Sequence, residues 1–263
     1  MSADPKVWFV GAGPGAADLL TLRAARVIAE ADVVIWAASL VMPEAIAHAR
    51  DDAEVVDSSA MTLEEVLAIY DRAVADGLVV ARVHSGDPSL WGAIGEQIAA
   101  CDARGLAWEI VPGVSALGAA AAVLGRELTV PEVAQSVILT RQATATPMPA
   151  NEDIRAFAAH GTTMALFLSA KRGARLQTEL LAGGYAPDTP CAVVYRATWP
   201  DQAVWRCRLD ELAATLRAAK VVRHTLILVG RALTAGGTRS HLYAPEFHHA
   251  FRTRDRADRG AAP

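Results

Sequence analysis

Four short strings in this chain combine residue types and spacings that could do chemistry. His84-Ser85-Gly86-Asp87-Pro88 sets an imidazole, a hydroxyl and a carboxylate around one glycine. Asp87 precedes a proline, which pushes it to an extended or turn conformation and leaves its carboxylate free for a ligand. Gly11-Ala12-Gly13-Pro14-Gly15 is a turn whose glycines permit φ > 0 and close approach of backbone to a bound group. Gly11, Gly13 and Ala16 satisfy the GxGxx(G/A) dinucleotide fingerprint. Two details oppose that reading: Pro14 removes an N–H from the loop that would cradle pyrophosphate, and Ala37 stands where an acid would hold a ribose hydroxyl. A tight strand-to-helix turn is the plainer reading of this string taken alone. Val111-Pro112-Gly113-Val114-Ser115-Ala116 is the third string, with Ser115 suited to cap a helix. In the fourth, Tyr195-Arg196-Ala197-Thr198-Trp199-Pro200-Asp201-Gln202, Arg196 could grip a substrate carboxylate or pair with Asp201 across the loop. Arg141 is a second carboxylate-binding candidate.

Other chemistries find no support. His248-His249 lies beside a charged stretch and reads as solvated, and no other ligand-spaced cluster implies a metal site. There is no GxSxG, no phosphate-loop lysine and no HExxH, so serine hydrolase, NTPase and zincin readings lack residues to carry them.

The elements that must position these strings alternate. Strands are expected over 7–10, 33–36, 79–83 and 108–111, and helices over 19–30, 62–76 and 94–104, with another from Ser115. Thr62-Leu63-Glu64-Glu65 is a capping-box signature. Such alternation means βαβ units and a mostly parallel sheet. It also puts three glycine-containing turns at the carboxyl ends of strands, where open α/β sheets bind ligands. A second set follows: strand 137–140, a polar loop over 142–150, helix 154–159, strand 164–168 and helix 176–181. An antiparallel hairpin (191–195 with 204–208), helix 209–219 and strand 226–229 complete it. The fold class is therefore α/β, with two α/β domains whose sheets are mostly parallel or mixed. Residues 1–116 form the first domain, 117–250 the second, and 251–263 a frayed tail.

Composition bounds the function. The 263 residues are 52% hydrophobic and 21% charged, enough to bury a sizeable core. Lys+Arg number 25 against Asp+Glu 29, a net charge of −4 that disfavours a general nucleic-acid or membrane-surface binder. The longest apolar run, 114–124, is far shorter than the roughly 18–20 residues of a membrane span. Lys6 leads straight into a strand, unlike a signal peptide, and Cys101, Cys191 and Cys207 contain no CxxC pair. They read as reduced thiols in a cytoplasmic protein.

Taken in order, GAGPGAADLLTLRA, ADVVIWAASLV, HSGDPSLWG, VPGVSA, YRATWPDQ and HTLILVGRAL resemble the tetrapyrrole (corrin/porphyrin) methylase family, from Val7 to Leu233. WAASLV and the later LYAPEFHHAFR are most similar to its branch that methylates C11 of a corrin precursor. The resemblance implies two α/β domains in a kidney-shaped homodimer, with S-adenosyl-L-methionine in the cleft between them and S-adenosyl-L-homocysteine as product. It implies a cofactor site of Pro14, Ser85, Gly86, Asp87, Leu90, Ser115, Ala116, Leu168, Ala197 and Thr225, and a small-molecule tetrapyrrole as partner. Four positions depart from the family: Ser85 stands for a frequent glycine, Phe167-Leu168 for Tyr-Met, and His224 for proline. Backbone contacts survive these changes, whereas a tyrosine hydroxyl or methionine sulfur contact does not.

Methyl transfer from a sulfonium to an enamine-like carbon leaves little covalent work, so no metal or protein nucleophile is expected. Asp87 is then a candidate to hold the cofactor, His84 to assist proton loss, and Arg196 or Arg141 to grip a carboxylate. Rivals are methylases acting at C17, C20 or on uroporphyrinogen, a non-catalytic corrinoid carrier, and a nicotinamide dehydrogenase. Within the resemblance, the metal-free, oxygen-dependent route is expected over the cobalt-bound one, since the arginine- and alanine-rich composition suits organisms with that route.

Overall fold

The computed structural model describes residues 5–144, 146–237, 239–250 and 252. Its first sheet is wholly parallel: β1 (Lys6–Gly11), β2 (Val33–Trp36), β3 (Glu54–Asp57), β4 (Val79–His84) and β5 (Ala107–Val111), in the order β3-β2-β4-β1-β5. Helix α1 (Leu22–Glu30) carries the chain leftward from β1 to β2, whereas α2 (Leu63–Asp76) and α3 (Ile94–Ala103) carry it rightward. Right-handed crossovers therefore put α1 on one face and α2 and α3 on the other. The cores agree. Ala24, Val27 and Ile28 pack on Val10, Val34 and Val83, while Ile69, Tyr70 and Cys101 pack on Val7, Phe9 and Val80.

Helix α4 (Ala116–Leu124) leaves β5 but packs on the second sheet, its Ala119, Ala120 and Leu124 against Ala165, Val194 and Leu228. That sheet comprises β6 (Val137–Arg141), β7 (Thr163–Phe167), β8 (Pro190–Tyr195), β9 (Ala203–Arg208) and β10 (Thr225–Val229), ordered β6-β7-β10-β8-β9. Only β6 and β7 run parallel; β10 is antiparallel to both its neighbours, and β8–β9 form the expected hairpin. Helices α5 (Ile154–Ala158), α6 (Gly173–Ala182) and α7 (Leu212–Ala219) cover the opposite face through Ile154, Leu176, Leu180, Leu212 and Leu216.

Three local details differ from expectation. The helix expected over 19–30 is broken: a 3-10 turn over Ala17–Leu19 precedes α1, which starts where the Thr21 hydroxyl accepts the Ala24 N–H at 3.1 Å. β3 was not expected, because it is a short edge strand with mostly exposed side chains and no apolar periodicity. The helix expected over 209–219 opens with a 3-10 turn, so α7 begins at Leu212. Apart from Arg252, the expected tail lies outside the described residues. The Arg252 guanidinium donates to the carbonyls of Leu242, Ala244 and Phe247, tying down the preceding segment. Among the described residues no helix is long and apolar enough to cross a membrane.

Candidate active site

The loops after β1, β4 and β5 meet through their glycines. Gly13 and Gly86 exchange backbone hydrogen bonds of 3.2 and 2.8 Å, forming an isolated bridge between two turns. A Cβ on Gly113 would lie 2.1 Å from the Gly86 carbonyl oxygen and 2.8 Å from the Gly11 Cα. Only hydrogen side chains let these backbones approach so closely. Gly86 itself has φ +66°, and the space its Cβ would enter is open, with the Ala116 nitrogen nearest at 3.9 Å. The GDP turn and the first turn of α4 thus border one opening. Ser115 caps α4 by accepting the Leu117 N–H at 3.2 Å.

The Asp87 carboxylate is not free, contrary to expectation. One oxygen accepts the Gly113 N–H at 2.9 Å, and the other accepts the Ser89 N–H at 2.8 Å and the Ser89 hydroxyl. Burial pushes its pKa up, but these hydrogen bonds outweigh that and hold it below the ordinary carboxylate value. Asp87 therefore pins the VPG loop to the GDP loop. The proline rule read its backbone correctly but could not foresee a donor twenty-six residues away.

The second domain reaches across to the first glycine turn. Trp199 Nε1 donates to the Pro14 carbonyl at 2.9 Å, and the Thr198 hydroxyl accepts the Ala16 N–H at 3.0 Å. A Cβ on Gly15 would sit 2.2 Å from the Trp199 ring. The indole thus closes over Gly15 and leaves that face of the turn no room for a side chain. The His224 ring lies tilted against Trp199 with centroids 5.3 Å apart, and its Nε2 bonds to the Ser39 carbonyl at 2.9 Å. A second bridge between the domains joins Trp91, after the GDP turn, to Phe167 at the end of β7, with ring centroids 4.6 Å apart.

These contacts bring the expected cofactor residues to one seam. Pro14, Ser85, Gly86, Asp87, Ser115 and Ala116 surround the glycine cluster. Leu90 and Leu168 flank the Trp91–Phe167 contact. Ala197 lies in the clamping loop, and Thr225 pairs in register with Tyr195 at its base. Arg196 makes an ion pair with Asp201 at 2.6 Å and lies over Trp199, so the intraloop pairing is the one observed; its buried Nε has no partner. Arg141 donates to the Gln142, Thr146 and Pro147 carbonyls and organises the polar loop. His84 is buried beside Phe9, and its Nε2 has no hydrogen-bond partner. Burial, with the Arg82 charge nearby, lowers its pKa to about 3, leaving a neutral imidazole too weakly basic to assist proton loss efficiently near neutrality.

Sequence reasoning missed Trp199 as the domain clamp, and it missed the polar column beneath His84. There Arg82 donates to Ser58 at 2.7 Å and to Gln97 at 3.2 Å, and Tyr70 donates to Gln97 at 2.9 Å. An arginine flanked by Ala81 and Val83 inside the strand VVARVH was the available signal. Among the described residues, no three His, Cys, Asp or Glu side chains gather as a metal would need.

The model of the family described as "Tetrapyrrole (Corrin/Porphyrin) Methylases" matches residues 6–213. The precorrin-4 C(11)-methyltransferase of Mycobacterium tuberculosis is 48% identical over 244 residues, covering 92% of this chain and 97% of that protein. A solved cobalt precorrin-4 methyltransferase, a cobalamin biosynthetic enzyme, superposes with a TM-score of 0.84 at 41% identity, covering 88% of this chain and 96% of the other. The uroporphyrin-III C-methyl transferase of Thermus thermophilus, solved with S-adenosylhomocysteine, gives a TM-score of 0.73 at 29% identity, covering 87% of this chain and 93% of that one.

Proposed function

The chain belongs to the tetrapyrrole (corrin/porphyrin) methylase family, and we propose that it transfers a methyl group from S-adenosylmethionine to C11 of metal-free precorrin-4, giving precorrin-5 in cobalamin biosynthesis. The observation that carries this reading is likeness over nearly the whole length to a precorrin-4 C(11)-methyltransferase, at 48% identity. The cobalt-bound form of the substrate is the second reading, favoured by the 41% identity to the cobalt precorrin-4 enzyme.

The seam suits the methyl donor. Open space over Gly86 beside the Ala116 nitrogen offers backbone N–H and a positive helix end to a carboxylate. Pro14, Ser85, Gly86, Asp87, Leu90, Ser115, Ala116, Leu168, Ala197 and Thr225 would hold S-adenosylmethionine, which supplies an electrophilic methyl group when bound. The chain's own task is then to orient and to exclude water. Asp87 fixes two of the three loops relative to each other, and Trp199 and Thr198 fix the third against the second domain. Rigid alignment of the reacting atoms lowers the barrier by removing translational and rotational freedom in advance. Arg196 remains the side chain best placed to meet a substrate carboxylate, by exchanging Asp201 for it. A net charge of −4 supports a small-molecule substrate over nucleic acid. The reading includes a cytoplasmic homodimer.

Anaerobic incubation with isotopically labelled S-adenosylmethionine, offering precorrin-4 with and without cobalt, tests this. Mass spectrometry counts the added methyl groups and carbon NMR locates them. One label at C11 of the metal-free substrate alone is the expected result. Preference for the cobalt form would select the second reading, and no transfer to either would overturn both.

A further inference from the structure

We propose that Cys191 and Cys207 are a reversible disulfide site at the base of the β8–β9 hairpin, formed by exchange with a low-molecular-weight disulfide. The two residues are direct partners in the antiparallel register. Leu209 N–H donates to the Thr189 carbonyl at 2.9 Å. That marks Thr189/Leu209 as a hydrogen-bonded pair, and alternation makes Cys191/Cys207 another. Such pairs hold their Cα atoms about 5.5 Å apart with side chains on one face, inside the window of about 4.4–6.8 Å that a disulfide spans. The Cys191 thiol donates to the Thr189 carbonyl at 3.7 Å, on the same edge of the hairpin. Cys191 is 2% exposed and Cys207 only half-buried, so one sulfur is open to a reagent and the other is sheltered behind it.

The electrostatics agree with this division of labour. The neighbouring Cys191 and Thr215 side chains, set against the opposing effect of burial, lower the Cys207 pKa to about 7, whereas the Cys191 thiol is pushed up by the proximity of Cys207 and by burial. Cys207 is the attacking thiolate. It displaces one thiolate from the external disulfide and becomes a mixed disulfide. Cys191 then loses its proton, attacks the Cys207 sulfur and expels the second thiolate. Two protein thiols are oxidised by two electrons, and one external disulfide is reduced to two thiols. The bond closes the hairpin whose tip carries Thr198 and Trp199 against Pro14 and Ala16, and it does not depend on the reaction proposed above.

Native protein incubated with glutathione disulfide, then unfolded in denaturant, alkylated and peptide-mapped, tests this. The expected product is a Cys191–Cys207 link, lighter by two hydrogens and reversed by dithiothreitol, with Cys101 still alkylated. Cys191→Ser should trap glutathione on Cys207. Cys207→Ser, at the half-buried position, should give neither link nor adduct. A glutathione adduct that persists on wild-type Cys207, or full alkylation of both thiols after the incubation, would overturn the proposal.

Discussion

Replacing Gly113 by alanine tests the glycine cluster most directly. The new Cβ would begin 2.1 Å from the Gly86 carbonyl oxygen, 2.8 Å from the Gly11 Cα and 3.0 Å from its carbonyl carbon. Backbone on every side leaves no flexible side chain to yield. Relieving the closest approach to an ordinary contact requires the loops to part by about 1 Å, the scale of misplacement that costs about 100-fold in rate at a site built on alignment. The Gly113 N–H bond to Asp87, 2.9 Å long, is in the path of that movement. Overpacking should lower stability by about 1–3 kcal/mol. Gly118→Ala is the control, since it lies in α4 with nothing within 4 Å and should be neutral or stabilising by up to about 1 kcal/mol. Turnover with labelled methyl donor, calorimetric titration with S-adenosylhomocysteine and urea denaturation read the three effects. Unchanged affinity and turnover in a folded Gly113→Ala protein would refute the idea that the apposed glycines shape the site.

Other consequences follow from contacts already described. Trp199→Ala removes the bond to Pro14 and the packing over Gly15, and should cost about 2–3 kcal/mol in urea denaturation; S-adenosylhomocysteine affinity should fall with it. His84 has its pKa lowered from 6.5 to about 3 in the folded protein, so the unfolded chain binds the proton first. Stability should be unaffected by this group above pH 6.5 and fall by up to about 1.4 kcal/mol per unit between there and about 3. In His84→Leu that part of the acid slope should disappear from the denaturation profile. Thr62→Ala deletes the capping box closed by Glu65, and should cost about 1 kcal/mol in urea denaturation.

What could be read from the residues alone was local. Thr62 and Glu65 exchange both hydrogen bonds that their spacing implies, and Ser115 caps α4 as its position suggests. Alternating strands and helices were legible because each period is set by neighbours along the chain. Side-chain destinations were not. Asp87 is claimed by Gly113, and Arg141 by its own loop, through contacts that no spacing rule encodes. β3 escaped notice because an edge strand with exposed side chains has no apolar alternation. Trp199 stood in a conspicuous string, yet its partner Pro14 lies 185 residues earlier.

The position of β10 has a consequence for assembly. All five strands of the first sheet are complete by Val111, so that domain can form while the remainder is still being synthesised. The second sheet cannot. Its central strand, Thr225–Val229, is the last to emerge and must enter between β7 and β8 with every residue buried. Until then β7 and β8 each present an unpaired edge, the template on which chains aggregate. A nascent or truncated chain ending before Thr225 is thus a sticky half-sheet attached to a finished domain. Chaperone demand during expression should be concentrated in that interval.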